Sequence, residues 1–327
     1  MVDPTMTAKP KLLIAECQGF SDRALEILAG SFEVRLADLD RAGLLREVAA
    51  CEFLWVRLRN MIDGEIMDAA PHLRAIITNT TGLNHIDLLQ AERRKISVVS
   101  LKGESEFLKQ IRATAEHTIG LTLALLRKIP SAHHHVCEGH WDRNVFKGRE
   151  IHEKTVGIIG YGRLGKIVAG MFQAFGARVI VNSREYANGT QIDAFPVVEL
   201  AQLLQQSDIV SLHVNYEPAN DGLIGKSELG LMRQSAVLIN TARGELIDED
   251  ALASALESGS IGGAAIDVVR DEQVKGSASA RLVELATNSG RLIMTPHIGG
   301  NTPESLSKTE IFLAQKLCEF GKGVRNQ

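Results

Sequence analysis

The chain has 327 residues, 45% of them hydrophobic, and a formal net charge of −4. That length allows two domains with sizeable cores, and the acidic balance excludes the basic footprint of a nucleic-acid binder or of a protein drawn to anionic membranes. No apolar run approaches a membrane-spanning length. Cys17, Cys51, Cys137 and Cys318 are scattered, without a CxxC pair or zinc-like spacing, so reduced thiols, no metal and a cytoplasmic location are expected.

Residues 1–10 carry no periodic pattern and are expected to be a disordered leader. From Lys11 a strand–helix rhythm begins. Leu12–Ala15, Phe32–Leu36, Phe53–Val56, Ala75–Thr78 and Ser97–Ser100 are expected strands. Between them come helices over Ser21–Ala29, with Ser21 as cap, over Leu44–Cys51, after Asp63, and around Asp87–Arg93. Such alternation builds a parallel sheet covered by helices, so this stretch is a small α/β domain ending near Leu101. Lys102–Arg112 is charged and is expected to be a crossing segment or hinge. Ala113–Pro130 is apolar on too many faces for a surface helix and is expected to be buried, by its own domain or by a partner subunit. His133, His134 and His135 are adjacent, cannot all face one metal from a helix, and read as a solvated helix surface.

Thr155–Arg184 is the most informative stretch. A short apolar strand (Val156, Ile158, Ile159) runs into Gly160, Gly162 and Gly165, then into a helix with apolar Leu164, Val168, Met171 and Phe172, then into a strand Arg178–Val181. In such a unit the first glycine makes the sharp turn, the second lets backbone approach a pyrophosphate, and the third lets helix and strand pack closely. The helix N-terminus, with its free N–H groups, favours an anion. Arg163 and Leu164 open that helix. The second strand ends in Asn182–Ser183–Arg184, where an NAD-preferring fold places a carboxylate. A hydroxyl and a guanidinium there suit a 2′-phosphate instead, which favours NADP(H) over NAD(H).

The rhythm resumes with strands Ile209–Leu212, Ala236–Asn240, Gly263–Asp267 and Arg291–Met294 and helices Glu199–Gln205 and Asp248–Ser258, completing a doubly wound sheet. Ligands lie across the C-terminal strand ends of such sheets. Three stretches stand just after strands: Thr241–Gly244, Asp267 with Glu272, and Thr295–Gly300. Arg243, Glu272 and His297 form a coherent set. Hydride transfer at an alcohol or ketone needs a proton donor and acceptor, which an imidazole titrating near neutrality supplies. A carboxylate fixes such a ring, and a guanidinium holds a substrate carboxylate bidentately. Singly, Arg243 and Glu272 could be a loop ion pair and His297 a packed histidine. Together, beside a nucleotide loop, they favour catalysis.

The motifs ATAEHT, GHWDRNVFKGREI, the glycine loop, SDIVSLHV, INTARGELIDEDAL, GAAIDV and PHIGG occur in this order over about Val56–Thr302. In them the chain resembles the NAD(P)-dependent D-2-hydroxyacid dehydrogenases, the group containing D-3-phosphoglycerate dehydrogenase and glyoxylate/hydroxypyruvate reductase. The resemblance implies two Rossmann-like α/β domains. One is a doubly wound nucleotide domain over residues 113–299; the other is a smaller flavodoxin-like substrate domain over 11–112 plus 300–327, completed by a helix around Glu304–Phe320. It implies that Arg243 binds the substrate carboxylate, that Glu272 supports His297, and that His297 is the acid/base between a 2-keto acid and a D-2-hydroxy acid. Cofactor contacts are implied from Gly160, Gly162, Arg163, Leu164, Gly165, Val214, Thr241, Asp267 and Gly299, and substrate contacts from Arg57, Thr80, Thr81 and Gly82. It also implies a homodimer through the nucleotide domains, which would give Ala113–Pro130 its burial.

The sequence departs from the family's pattern at SLKGESEFLKQIR before the AE motif, and at Gln273, where a proline often follows the glutamate. With the sequence ending at Gln327, no regulatory extension is expected, and a feedback-controlled phosphoglycerate dehydrogenase is the less expected member of the group. Two alternatives stand beside this reading: a nucleotide-sensing, corepressor-like binding protein, and a dehydrogenase of a sugar-derived acid.

Overall fold

Every strand of the two larger sheets is parallel to its neighbours, as the strand–helix alternation requires. The structure, a computed structural model, describes residues 9–270, 272 and 279–325. The chain divides into two units, one of residues up to Ile111 together with those from Thr302 on, and one of Arg112–Asn301. Most of the expected leader and Gln273 lie outside the described residues.

The first unit runs β1 (Lys11–Ile14), α1 (Asp22–Ala29), β2 (Glu33–Leu36), α2 (Arg41–Glu47), β3 (Phe53–Val56), α3 (Gly64–Asp68), β4 (Ala75–Thr78), α4 (Leu88–Arg93), β5 (Ser97–Ser100) and α5 (Ser105–Leu108). Its sheet order is β2-β1-β3-β4-β5, the flavodoxin-like arrangement. Ser21, Asp40, Asp63 and Asp87 each accept an amide hydrogen bond from the first turn they precede, which sets the helix starts. Asp40 starts α2 three residues before the expected Leu44. Side chains alternate across the sheet. Leu12, Ile14, Phe53 and Trp55 pack on one face with α1 and the C-terminal helix Pro303–Arg325, while Leu13, Leu54, Val56 and Ile76 pack on the other.

The expected charged crossing segment is not simply solvated. Phe107 stacks on Phe312 with centroids 4.0 Å apart, and Lys316 Nζ donates to Glu104 Oε1 (2.6 Å) and to Ser100 O (3.2 Å). The segment therefore docks on the C-terminal helix through an aromatic pair and a charge-assisted bond.

The second unit runs α6 (Ala113–Leu126), α7 (Ile129–Cys137), β6 (Thr155–Ile159), α8 (Arg163–Ala174), β7 (Arg178–Asn182), a hairpin of β8 (Gln191–Ile192) and β9 (Phe195–Pro196), α9 (Leu200–Gln206), β10 (Ile209–Leu212), α10 (Lys226–Leu231), β11 (Val237–Asn240), α11 (Glu249–Ser258), β12 (Gly263–Ile266), α12 (Ala280–Asn288) and β13 (Leu292–Met294). Its sheet order is β13-β12-β11-β10-β6-β7, with one further parallel bridge from Val181 to Val197 at the edge. The order reverses between β6 and β10, so the glycine loop opens at a topological switch point. Val156, Ile158, Val179 and Val181 face α6 and α8; Ile159, Ile180, Val210 and Leu212 face α9 to α12.

The expected helix Ala113–Pro130 is two helices. Lys128 adopts a left-handed backbone (φ +55°), and Pro130, which cannot donate to a continuing helix, lies in the first turn of α7. The burial of α6 also differs from what the resemblance implied. Ala115, Thr118, Leu121, Thr122 and Leu125 are buried against the unit's own α8 and sheet, with no partner subunit needed. It is α7, carrying His133, His134 and His135, that has no buried residue.

Candidate functional site

The loop after β6 has the geometry its glycines imply. Gly160 turns at φ +92°, and a Cβ there would stand 2.6 Å from His213 O and from Val214 Cγ1, which brings the end of β10 against the loop. A Cβ on Gly165 would stand 2.0 Å from Gly160 O, so only glycine lets α8 sit this close to the strand. At Gly162, by contrast, nothing lies within 4 Å of the Cβ position, and no side chain caps α8. The first-turn amides after Gly162, those of Arg163 and Leu164 among them, are thus arranged for an anion, and the open backbone fits a pyrophosphate. Burial holds the Arg163 guanidinium below its usual pKa.

Tyr161 braces this loop. Its ring is buried edge-on against Tyr186 and Phe195, and its hydroxyl donates to Asp193 Oδ2 at 3.0 Å. Burial first, and the Asp193 carboxylate second, push the phenol well above its usual pKa.

At the end of β7, Ser183 Oγ accepts the Glu185 amide at 3.3 Å. Arg184 is exposed, and its Nη1 lies 3.9 Å from Glu217 Oε2.

Three strand ends carry the remaining candidates. Asn240, which closes β11, accepts the Ala242 amide (3.0 Å) and donates to Arg243 O (2.8 Å), shaping the turn that presents Arg243. Desolvation holds the half-buried Arg243 guanidinium below its usual pKa, opposed by the negative fields of Glu272 and Glu245. Glu272 Oε1 lies 2.6 Å from His297 Nδ1. An ionised carboxylate only accepts, so the ring carries its proton on Nδ1, and in the neutral form the lone pair is on Nε2. Both side chains are about one-fifth to one-quarter exposed, at 21% for Glu272 and 24% for His297. The structure therefore brings Glu272 and His297 together and places Arg243 within electrostatic reach of Glu272.

Asp267, at the end of β12, is 1% exposed and organises the loop around His297. Its Oδ1 accepts from Thr295 Oγ1 (2.6 Å) and the Ile298 amide (2.9 Å), its Oδ2 from the Gly299 amide (2.8 Å), and its carbonyl from the His297 amide (2.8 Å). Burial pushes its carboxyl up, but these bonds and one from His117 outweigh it and hold the pKa below the ordinary 3.8. Thr241 is buried, with its hydroxyl 2.8 Å from Thr118 Oγ1.

In the other unit, Arg57 donates to Gln18 O (2.8 Å) and to Glu310 Oε1 (2.5 Å), and Glu310 also accepts the Ser21 amide (2.8 Å). Thr80 Oγ1 donates to Gly82 O at 2.7 Å, while Thr81 is exposed. The guanidinium of Arg57 and the hydroxyl of Thr80 thus have partners within their own unit.

Sequence reasoning missed Tyr161, and gave no role of their own to His117 and Thr118 in ATAEHT or to Thr295 in the stretch Thr295–Gly300. The signal for His117 was present: Thr114, His117 and Thr118 share one face of a helix otherwise too apolar for the surface. Among the described residues no group of three His, Cys, Asp or Glu side chains could hold a metal ion, and no helix is long and apolar enough to cross a membrane.

Residues 119–299 match the family described as D-isomer specific 2-hydroxyacid dehydrogenase, NAD binding domain. The chain is 34% identical to a D-3-phosphoglycerate dehydrogenase of Archaeoglobus fulgidus over 97% of its own length and 58% of that protein's. It is 34% identical to a glyoxylate reductase of Thermofilum pendens over 86% of its length and 82% of the reductase's. A crystal structure of D-lactate dehydrogenase from Aquifex aeolicus, complexed with NAD and lactic acid, superposes with a TM-score of 0.80 at 27% identity, covering 95% of each chain. The chain spans about three-fifths of the length of the phosphoglycerate dehydrogenases it matches. With a nucleotide loop at the switch point, a matching family region over more than half its length, and a relative of 34% identity covered over 82% of its length, the chain belongs to the D-isomer-specific 2-hydroxyacid dehydrogenase family.

Proposed function

We propose that the protein is an NAD(P)-dependent reductase that interconverts a 2-keto acid and a D-2-hydroxy acid, with Arg243, Glu272 and His297 as its catalytic residues. The observation that carries this reading is the 2.6 Å bond between His297 Nδ1 and Glu272 Oε1 in the unit that holds the nucleotide loop. Glu272 orients the ring and holds its Nδ1–H, so His297 Nε2 faces the substrate, delivers a proton to the keto oxygen and recovers it in the reverse direction. Arg243, desolvated and always charged, holds the substrate carboxylate and polarises the neighbouring carbonyl. Gly160, Gly162, Gly165 and the amides of Arg163 and Leu164 hold a pyrophosphate, with Val214, Thr241, Asp267 and Gly299 as further cofactor contacts. A nicotinamide bound there supplies or accepts the hydride. Ser183 and the exposed Arg184 favour NADP(H). Arg57, Thr80, Thr81 and Gly82 are the substrate contacts of the other unit, on the strength of family resemblance. A homodimer through the nucleotide unit covers α7.

The test is the initial rate of hydroxypyruvate reduction with NADPH and with NADH at matched concentrations, for the native chain and for His297→Ala. Faster NADPH oxidation is expected. The variant should lose roughly 10²- to 10⁴-fold in turnover while cofactor affinity stays unchanged. Unchanged turnover in the variant refutes the catalytic assignment, and equal or better use of NADH refutes the cofactor preference.

A further inference from the structure

Helix α6 meets the ends of the strands that carry the proposed catalytic residues. Thr118 bonds Thr241, two residues before Arg243. One residue earlier, His117 Nε2 lies 3.1 Å from Thr295 Oγ1 and 3.2 Å from Asp267 Oδ1. Thr295 spends its hydroxyl hydrogen on Asp267 at 2.6 Å, so the His117 Nε2–H is shared between the threonine's lone pair and the carboxylate. A Cβ on Gly299 would stand 2.9 Å from Asp267 Oδ2 and 3.5 Å from His117 Cδ2, so the loop passes close between the two side chains.

His297 has a left-handed backbone, φ +52°. Such a conformation is disfavoured for a residue with a side chain and persists only where its surroundings over-determine it. Asp267 does this from both sides of the peptide: its carbonyl takes the His297 amide, and its carboxylate takes the next two amides and the Thr295 hydroxyl. A carboxylate 1% exposed holds four donors in place only if it remains correctly oriented and charged. His117 supplies the donor that comes from outside the loop.

We propose that His117 is a positioning residue for His297, acting through Asp267 and Thr295 to hold the 295–299 loop in the conformation that presents the imidazole. The proposal rests on the acid/base role given to His297 above. His117→Ala removes the outside donor, so the loop relaxes away from φ +52° while the glycine loop is untouched.

Three measurements test it. Hydrogen exchange at the amides of Ile298 and Gly299 should quicken in His117→Ala and return to native protection in His117→Gln, whose side-chain N–H reaches a similar position. Turnover of hydroxypyruvate should fall about 10- to 100-fold, and the glutamine variant should recover most of the loss. Adding His117→Ala to His297→Ala should cost nothing further. Native exchange protection in His117→Ala overturns the proposal whatever the activity, as does a further rate loss in the His297→Ala background. A His297→Ala enzyme that keeps its turnover removes the catalytic reading instead, and the exchange measurement still decides whether His117 holds the loop.

Discussion

Replacing Arg57 by methionine should destabilise the first unit by a calculable amount. Glu310 is fully buried on the C-terminal helix, and without Arg57 its carboxylate keeps the Ser21 amide, at 2.8 Å, as a donor. Breaking a buried pair by removing one partner costs about 3–5 kcal/mol. Desolvation already raises the Glu310 pKa above 4.5, outweighing Arg57 and Ser21, so the stranded carboxyl can take up a proton and the lower end, about 3 kcal/mol, applies. With a urea slope of about 2 kcal/mol per molar, the midpoint should fall by roughly 1.5 M.

The assay is tryptophan fluorescence. Of the two tryptophans, Trp55 is 1% exposed in β3 beside Arg57 and Trp141 is 88% exposed, so the signal change on unfolding reports the first unit. The sign of the pH effect follows from linkage. A carboxyl whose folded pKa is raised binds more protons folded than unfolded, so its contribution worsens as pH rises from 4.5 through the raised value. The deficit of Arg57→Met should therefore be larger at pH 8 than at pH 5. The double variant Arg57→Met/Glu310→Gln, which leaves no stranded charge, should recover at least half of it. A shift below about 0.3 M, or no recovery in the double variant, refutes the argument that a buried charge is being compensated.

Asp267 gives the opposite pH dependence. Its folded pKa is held below 3.8, so its stabilisation is complete above that value and is lost as pH falls through the folded pKa. The thermal-midpoint gap between the native chain and Asp267→Asn should be constant from pH 8 to pH 5 and narrow toward pH 3; a gap that widens on acidification contradicts it. For the proposed dimer, α7 has no buried residue, and Val136, Trp141 and Val145 are 46%, 88% and 53% exposed. Sedimentation should give the mass of two chains, and Trp141→Glu should halve it. A native chain sedimenting as a monomer rejects that assembly.

What the sequence made readable was local. Ser21, Asp63, Asp87 and Asp248 cap helices because each lies three residues before the amide it accepts. Gly160 and Gly165 announce a turn and a close packing that need no distant information. The polar face of α6 was visible as a pattern, but its partners, 123 and 178 residues away at Thr241 and Thr295, were not. Arg57 was singled out for substrate, and its bond to Glu310 spans 253 residues. The hairpin Gln191–Pro196 escaped notice because its strands are two residues each, too short for an alternating pattern. The break at Lys128 was overlooked because the apolar content of the stretch was weighed above Pro130.

The first unit is discontinuous in sequence, and this bears on the order in which the chain matures during synthesis. Its five strands emerge first, yet Leu313, Ala314 and Leu317, which fill the core against Phe53 and Trp55, and Glu310, which receives Arg57, are made last. Residues 112–301 are contiguous and can condense as soon as they leave the ribosome. The nascent N-terminal sheet must meanwhile wait with one apolar face covered only in part, by α1. The unit begun first is finished second.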